Sequence, residues 1–299
     1  MKKILNLILK IVGGLIVVIT LVVAVLYFNG KARANKQYTS IEARPLAIAG
    51  TPEDLVTGEK WAETLCTNCH APDLSGQILI QDESLGMINS PNLTGGEGGI
   101  GASYTNQDWV RALRHGLGTD SKPLIGMPSD AFYYMNDKDL AALIAYLQSV
   151  PAVDNAIPPT DLKPLAYILV SLGMLGDVFP TEHIPHKEIP LSPAPGLSVE
   201  FGQYLVRIGD CDNCHGPNLS GGESPVPGSP PGPNITPGGT LAFWSAEDFI
   251  ATIRTGQTPY GRVLNPEYMP WDEYSNLSDE ELSAILLYLQ SLPALDYGQ

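Results

Sequence analysis

All four cysteines of this 299-residue chain lie in two short runs of the same form. The runs are Cys66–His70 (CTNCH) and Cys211–His215 (CDNCH). Two thiols three positions apart, followed directly by an imidazole, form the pattern at which a c-type haem is attached. The thiols form thioethers to one edge of the porphyrin, and the histidine becomes an iron ligand. The sequence therefore predicts two covalently bound haems c.

Three other interpretations of these cysteines explain less of the pattern. A thioredoxin-like redox pair requires no following histidine, yet a histidine follows both pairs. A shared zinc site would join pairs separated by 141 residues, and disulfides rarely link cysteines so close in sequence. Each run is complete by itself, with Cys66, Cys69 and His70 at one site and Cys211, Cys214 and His215 at the other.

The two motifs begin two copies of one longer pattern. The hexapeptide APDLSG after the first motif matches GPNLSG after the second, and 140–151 matches 282–293 at an offset of 142. Self-similarity of this kind indicates a duplicated structural unit. We predict two domains and a Pro-rich linker, at 37–151, 198–299 and 152–197 respectively.

Each copy predicts three helices and no confident strand. Apolar residues recur at helical spacing in 140–147 and 282–289, and Asn136 and Ser278 precede these runs as N-caps. The predicted helices lie around 53–66 and 198–211, between Thr105 and Gly116, between Ser245 and Gly256, and before Pro151 and Pro293. The predicted fold is all-α, with long loops because the chain has 30 glycines and 26 prolines.

The second copy predicts the sixth iron ligand, because Met269 is its one methionine. Its counterpart at the offset of 142 is Met127, and a proline follows each of the two. Met135 aligns with Leu277, which predicts a core position. A thioether opposite histidine raises the reduction potential, so we expect two fairly high-potential haems. The predicted iron ligands are His70, Met127, His215 and Met269.

Further paired positions are candidates for the surroundings of the haems. They are Pro91 and Pro233, Arg114 and Arg254, and Asn92 and Asn234. The proline carbonyls are expected to accept the second N–H of each proximal imidazole. The arginines suit a haem propionate, or they are surface residues of a helix. The asparagines bind a propionate or shape a turn.

Residues 11–28 form an uninterrupted apolar run of 18, long enough to span a bilayer. We predict a retained anchor at 1–36. The alternative is a cleaved signal peptide, because Ala32-Arg33-Ala34 resembles a small-x-small cleavage site. Haem c is attached outside the cytoplasm, so everything after about residue 30 is expected on the periplasmic side of the cytoplasmic membrane.

The linker carries an apolar stretch at 165–179 that is too short to span a membrane. We predict that it packs between the domains; the alternative is that it rests on the bilayer surface. His183 and His186 lie nearby without an evident third metal ligand, and we predict an ordinary exposed pair.

The charge of the chain is unevenly distributed. The net charge is −15, but residues 1–36 hold six basic and no acidic residues, which leaves −21 on the remainder. Nucleic-acid binding requires the opposite sign and is excluded. The acidic surface either favours partners with a basic docking face or only keeps the domains soluble.

These motifs resemble those of class I cytochrome c domains, particularly the cytochrome subunits of bacterial membrane-bound alcohol and gluconate dehydrogenases. The resemblance covers about 53–151 and 198–294, although those subunits usually carry three haem motifs and this chain carries two. It implies crossed terminal helices in each domain. It also implies electron transfer, not catalysis, between a dehydrogenase or quinol-oxidising complex and an oxidase or soluble cytochrome.

Two other functions remain as alternatives. A diheme peroxidase needs an iron site that opens, which two matched methionine ligands disfavour. A fixed diheme subunit of a terminal oxidase agrees with the haem count and the anchor, but such subunits usually carry their repeats closer together.

Overall fold

The computed structural model describes residues 2–188, 192–224 and 229–299. It begins with α1 (Lys2–Ala34), a 33-residue helix whose side chains are exposed along most of its length. Within the described residues, α1 alone is long and apolar enough to cross a membrane. Its last turn is different, because Gly30 and Ala34 are buried against the linker.

The first domain is built around two crossing helices. Thr51 starts the first of them with a capping box in which its hydroxyl accepts from Asp54 N and the Asp54 carboxylate accepts from Thr51 N. The helices are α2 (Pro52–Leu65), α3 (Thr67–His70), α4 (Asn106–His115), α5 (Ser129–Phe132) and α6 (Asp137–Ser149). Helices α2 and α6 make the largest contact within this domain.

A small antiparallel sheet interrupts the helical pattern. It consists of β1 (Gln77–Asp82), β2 (Gly86–Ser90) and β3 (Asp161–Leu162), in the order β1-β2-β3. The prediction of no strand was therefore wrong at this position. The hairpin lies in residues 77–90, whose counterpart in the second copy, 222–232, is three residues shorter and has a different sequence. β1 is exposed on both faces, so its residues do not alternate between apolar and polar.

The linker continues from β3 into α7 (Pro164–Ser171), which packs against α1. A separate apolar cluster forms there around Ala34, Val170 and Phe179. The prediction that this stretch packs between the two domains was therefore wrong. Instead, α7 covers one side of the last turns of α1.

The second domain repeats the first. Its helices are α8 (Val199–Ile208), α9 (Cys211–His215), α10 (Ala246–Thr255), α11 (Trp271–Tyr274) and α12 (Asp279–Ser291). The predicted caps are confirmed. The side chains of Thr105, Asn136, Ser245 and Ser278 all accept the N-terminal hydrogen bond of the following helix.

Glycine permits the helix crossing in both domains. A Cβ on Gly58 of α2 would lie 2.1 Å from the Ala142 carbonyl oxygen of α6, and one on Gly202 of α8 would lie 1.9 Å from that of Ala284 in α12. Within each pair, the two helices are therefore in backbone contact. Residues of both domains belong to one continuous apolar core.

Candidate haem sites and the interface between them

Each cysteine motif follows directly on the first helix of its domain. Cys66 is the C-cap of α2, and its carbonyl accepts from His70 N at 2.8 Å, which winds the motif into the short helix α3. The chain then reverses, and Gly76 N donates to His70 O at 2.8 Å. The second motif has the same turn, with Gly221 N donating to His215 O at 2.8 Å.

Both motif histidines are held by a backbone carbonyl. His70 Nδ1 lies 2.9 Å from Pro91 O, and His215 Nδ1 lies 2.8 Å from Pro233 O. A carbonyl only accepts, so Nδ1 carries the proton and Nε2 keeps its lone pair. Burial lowers the pKa of both imidazoles, although these hydrogen bonds oppose the shift. Both rings are thus neutral near pH 7, as an iron ligand must be.

The asparagines next to these prolines shape the turn. Asn92 is fully buried, its Nδ2 donates to Val153 O at 2.7 Å, and its Oδ1 accepts from Thr94 N at 2.9 Å. Asn234 makes the same contacts, donating to Leu295 O at 2.8 Å and accepting from Thr236 N at 2.8 Å. Of the two predicted roles, the structure favours turn formation. Each asparagine thus connects the turn that carries the proline carbonyl to the segment after the last helix of its domain.

The two methionines occupy matching positions. Met127 and Met269 are half-buried against the core, and each carbonyl accepts from the N–H two residues on, at 2.7 Å. Met135 differs, because it is completely buried, which confirms its predicted core position. Met87 lies in β2.

The second site has an apolar cavity whose wall includes both Cys211 and Met269. Part of this wall comes from the first domain, through Trp61, Thr64 and Leu65 of α2. The Trp61 Nε1 is buried without a hydrogen-bond acceptor among the described residues. An apolar macrocycle that carries carboxylates fits such surroundings. The remaining lining residues are Leu205, Ile208, Gly209, Phe249, Ile253, Tyr274, Leu277, Leu282 and Ile285.

The structure gives the paired arginines protein partners. Arg114 Nη2 donates to Met135 O at 2.9 Å and to Asp137 Oδ1 at 2.8 Å. Arg254 Nη2 bonds Leu277 O at 2.7 Å and Asp279 in the same way. Arg114 is buried, so it is not the surface residue of the alternative prediction. We infer that both arginines position the loop between the methionine and the last helix; the binding of a haem propionate stays a prediction.

The two domains meet through an exchange of matching helices. Helix α11, which follows Met269, packs on α2, and α5, which follows Met127, packs on α8. Burial and the carboxyl of Glu273 in α11 raise the pKa of the Cys66 thiol to about 12. Burial, Asp130 of α5 and Asp212 raise the pKa of Asp210 to about 7. The interface therefore adjoins both cysteine motifs.

Hydrogen bonds that sequence reasoning missed hold this interface together. The Tyr204 hydroxyl of α8 donates to Asp139 Oδ2 at 2.6 Å and accepts from Asn136 Nδ2 at 3.0 Å. Lys60 of α2 forms an ion pair with Glu281 of α12. Within a single copy these residues look like ordinary cap and surface positions. Their pairing follows from the arrangement of the domains.

One histidine of the linker also differs from its prediction. His183 is exposed and lies 3.4 Å from Asp177. His186 is half-buried, with Nδ1 3.0 Å from His115 Nδ1 and Nε2 3.1 Å from Thr181 O. Burial and the neighbouring His186 lower the pKa of His115 to about 4. The pair joins the linker to α4, and no group of three metal-ligating side chains occurs in the described parts of the chain.

The cytochrome c family profile matches residues 55–151 and 199–293, one match around each motif. The chain therefore belongs to the cytochrome c family and carries two covalently bound haems c. It is an electron-transfer protein of mostly helical fold.

Its relatives include cytochrome subunits of several dehydrogenases. It is 32% identical to the fructose dehydrogenase cytochrome subunit of Gluconobacter japonicus, over 77% of this chain and 50% of that protein. It is 31% identical to a diheme c-type cytochrome of Cereibacter sphaeroides, over 86% and 92%. The cytochrome c subunit of the quinone alcohol dehydrogenase of Gluconacetobacter polyoxogenes is 28% identical, over 85% and 60%. The chain thus spans half to three fifths of these two dehydrogenase subunits.

Proposed function

We propose that this chain is a membrane-anchored electron relay on the periplasmic side of the cytoplasmic membrane. It takes electrons from a dehydrogenase or a quinol-oxidising complex and passes them to an oxidase or a soluble cytochrome. The dehydrogenase is favoured as donor, because the fructose and alcohol dehydrogenase relatives are cytochrome subunits of such enzymes. This proposed location is supported by the length and apolar character of α1 and by haem attachment outside the cytoplasm.

The observation that carries this proposal is the shared interface of the two sites. Residues of α2 line the cavity of the second site, and α11 of the second domain packs on α2, the helix that leads into the first motif. Hydrogen bonds of Tyr204 fix the two domains against each other. A fixed, short separation is what transfer between two sites of one molecule requires.

The residues of the chain have distinct roles in this proposal. His70 and His215 offer Nε2 to the iron, and the Pro91 and Pro233 carbonyls fix the orientation of the rings. Met127 and Met269 would be the second protein ligand of each iron. A haem c with such ligands supplies reversible one-electron oxidation and reduction of its iron. If a histidine and a methionine of the chain held each iron, no position would be left for a substrate, which would separate a relay from a peroxidase.

Kinetics of the full chain in detergent test the relay. The Met269→His variant should lower the potential of the second site and make the two domains spectroscopically distinct. After a light pulse delivers substoichiometric electrons, we expect redistribution between the domains at a rate independent of protein concentration. A rate proportional to protein concentration would show that electrons pass only between molecules.

An interface variant sharpens this experiment. Tyr204→Phe removes the hydroxyl that joins the domains and should slow redistribution without changing either absorption spectrum. Tyr260→Phe is the matched control, because Tyr260 is exposed in a loop of the second domain. Equal rates in both variants would contradict the role of this interface. Copurification in mild detergent then identifies the donor and shows whether the chain is a fixed subunit of a larger complex.

A further inference from the structure

The end of the anchor helix is part of a folded unit with the linker. A Cβ on Gly30 of α1 would lie 2.1 Å from Tyr167 O, so α1 and α7 touch through their backbones. Ser171 Oγ donates to Leu26 O at 2.7 Å, and the rings of Tyr27 and Tyr167 meet edge to face at 5.8 Å. α7 is therefore held alongside the last turns of the spanning helix.

An ion pair fixes the same junction. Arg33 Nη2 lies 2.7 Å from Glu182 Oε2, and Arg33 Nη1 donates to Val170 O at 3.3 Å. The guanidinium also stacks 5.3 Å from the centre of the buried Phe179 ring. Cleavage after Ala34 would remove one side of each contact, so these contacts favour retention of α1 in the mature protein.

The opposite surface of this unit is apolar and faces solvent. Residues 164–176 (PLAYILVSLGMLG) contain no charged side chain, in a chain that carries −21 beyond residue 36. Leu165, Leu172 and Met174 are 42%, 52% and 67% exposed. An apolar patch on an otherwise charged domain marks an interaction surface.

The position of the patch identifies its partner. The apolar run of α1 ends at Phe28, and the Ser171–Leu26 contact places α7 at that depth. Tyr27 and Tyr167 have the amphipathic rings that are enriched where a bilayer meets water. Lys31, Arg33 and Lys36 follow on the water side. The patch is thus continuous with the exposed apolar surface of α1.

We propose that α7 and the turn after it, residues 165–175, form a second membrane contact that lies in the interfacial layer of the phospholipid bilayer. This inference rests on the proposed function, in that α1 spans the membrane. A short apolar helix at the membrane surface, held against the end of a spanning helix, prevents the haem domains from swinging freely.

The contact also reaches the first haem site. Gly126 N donates to Val178 O at 3.0 Å, and Ile125 packs against the cluster of Ala34, Val170 and Phe179. Met127, the proposed ligand, follows directly. The membrane contact therefore places the methionine loop of the first domain beside the bilayer, which makes the first domain the membrane-proximal half of the relay.

Depth-dependent fluorescence quenching tests this proposal in the full haem-loaded chain. The native cysteines are consumed by thioethers, so one introduced cysteine accepts one label. We choose Met174→Cys as the probe, Val25→Cys in α1 as the spanning control and Val56→Cys on α2 as the water-exposed control. All three positions are exposed in the protein alone. An unchanged haem spectrum establishes that each variant folds.

In phosphatidylcholine vesicles that contain a quencher near the headgroup, we expect a several-fold larger loss of fluorescence at position 174 than at position 56. Position 25 is one residue from Leu26, so it should respond to the same headgroup quencher. Quenching at 25 without quenching at 174 would overturn the second contact and leave the anchor intact. Absence of quenching at both positions would overturn the anchor as well.

Discussion

The glycine at the crossing of α2 and α6 leads to a prediction whose sign depends on the fold. In Gly58→Ala, the new Cβ would lie 2.1 Å from Ala142 O and 2.6 Å from Tyr146 Cβ, whereas ordinary contact begins at 3.4 Å. The nearer atom is backbone and cannot rotate away, so the helices must separate. We expect a cost near the upper end of the ~1–3 kcal/mol typical of overpacking.

Alanine also stabilises an isolated helix by about 1 kcal/mol relative to glycine. The net destabilisation of the first domain should therefore be about 2 kcal/mol. For the first domain, residues 37–151, that lowers the melting temperature by roughly 8 °C. The assay is thermal unfolding of the full chain in detergent, followed by circular dichroism and haem absorbance.

A neighbouring position provides the control. Val56 is 69% exposed on the same helix, and Val56→Ala should change the free energy of unfolding by no more than about 0.5 kcal/mol. Gly202→Ala should destabilise the second domain as Gly58→Ala does the first, because its Cβ would lie 1.9 Å from Ala284 O. A higher melting temperature for Gly58→Ala would show that α2 and α6 are not in backbone contact at this position.

Two further predictions concern the turn after the motif and the domain interface. Ala71 has a φ of 67°, a strained value for alanine, at the position where the second copy has Gly216. Ala71→Gly should therefore raise the free energy of unfolding by about 1 kcal/mol, measured as a higher denaturant midpoint. A lower midpoint would contradict the strain at Ala71. Gly216→Ala should lower the denaturant midpoint, because its Cβ would lie 2.5 Å from Gly221 O. Burial and neighbouring acids raise the pKa of Asp210 and of Glu273 to about 7, from 3.8 and 4.5 respectively. The folded state binds these protons more tightly, so their contribution to stability is greatest at low pH and is lost as pH rises through about 7. Asp210→Asn and Glu273→Gln should each reduce the loss of unfolding free energy between about pH 4 and pH 7. A pH dependence of stability equal to that of the wild type would contradict the raised pKa of these carboxyls.

Local signals in the sequence were sufficient for the helices and the motif turns. The capping boxes at Thr105 and Ser278 and the terminal Gly116 and Gly256 act within one or two turns of chain, so they determine helix ends without tertiary help. The duplication added independent support, because each copy predicts the same elements.

Features that depend on distant segments were not predictable in this way. On the side away from β1, strand β2 pairs with Asp161 and Leu162 of β3, far along the chain, and the exposure of β1 removes the alternation that would reveal a strand. The packing of α7 on α1 and the partners of Arg114 likewise depend on tertiary neighbours. The interface bonds of Tyr204 require the arrangement of two domains, which a repeat pattern does not specify.

A redox titration of the purified chain by visible and near-infrared absorption tests whether Met127 and Met269 ligate the haem irons. We predict that both ferric haems show the weak sulfur-to-iron band, that both titrate at high potential, and that neither binds carbon monoxide when reduced. Met127→Ala and Met269→Ala should each remove the band from one haem and leave the other unchanged. A wild-type haem that lacks the band and binds carbon monoxide would contradict the methionine assignment and favour an enzymatic role.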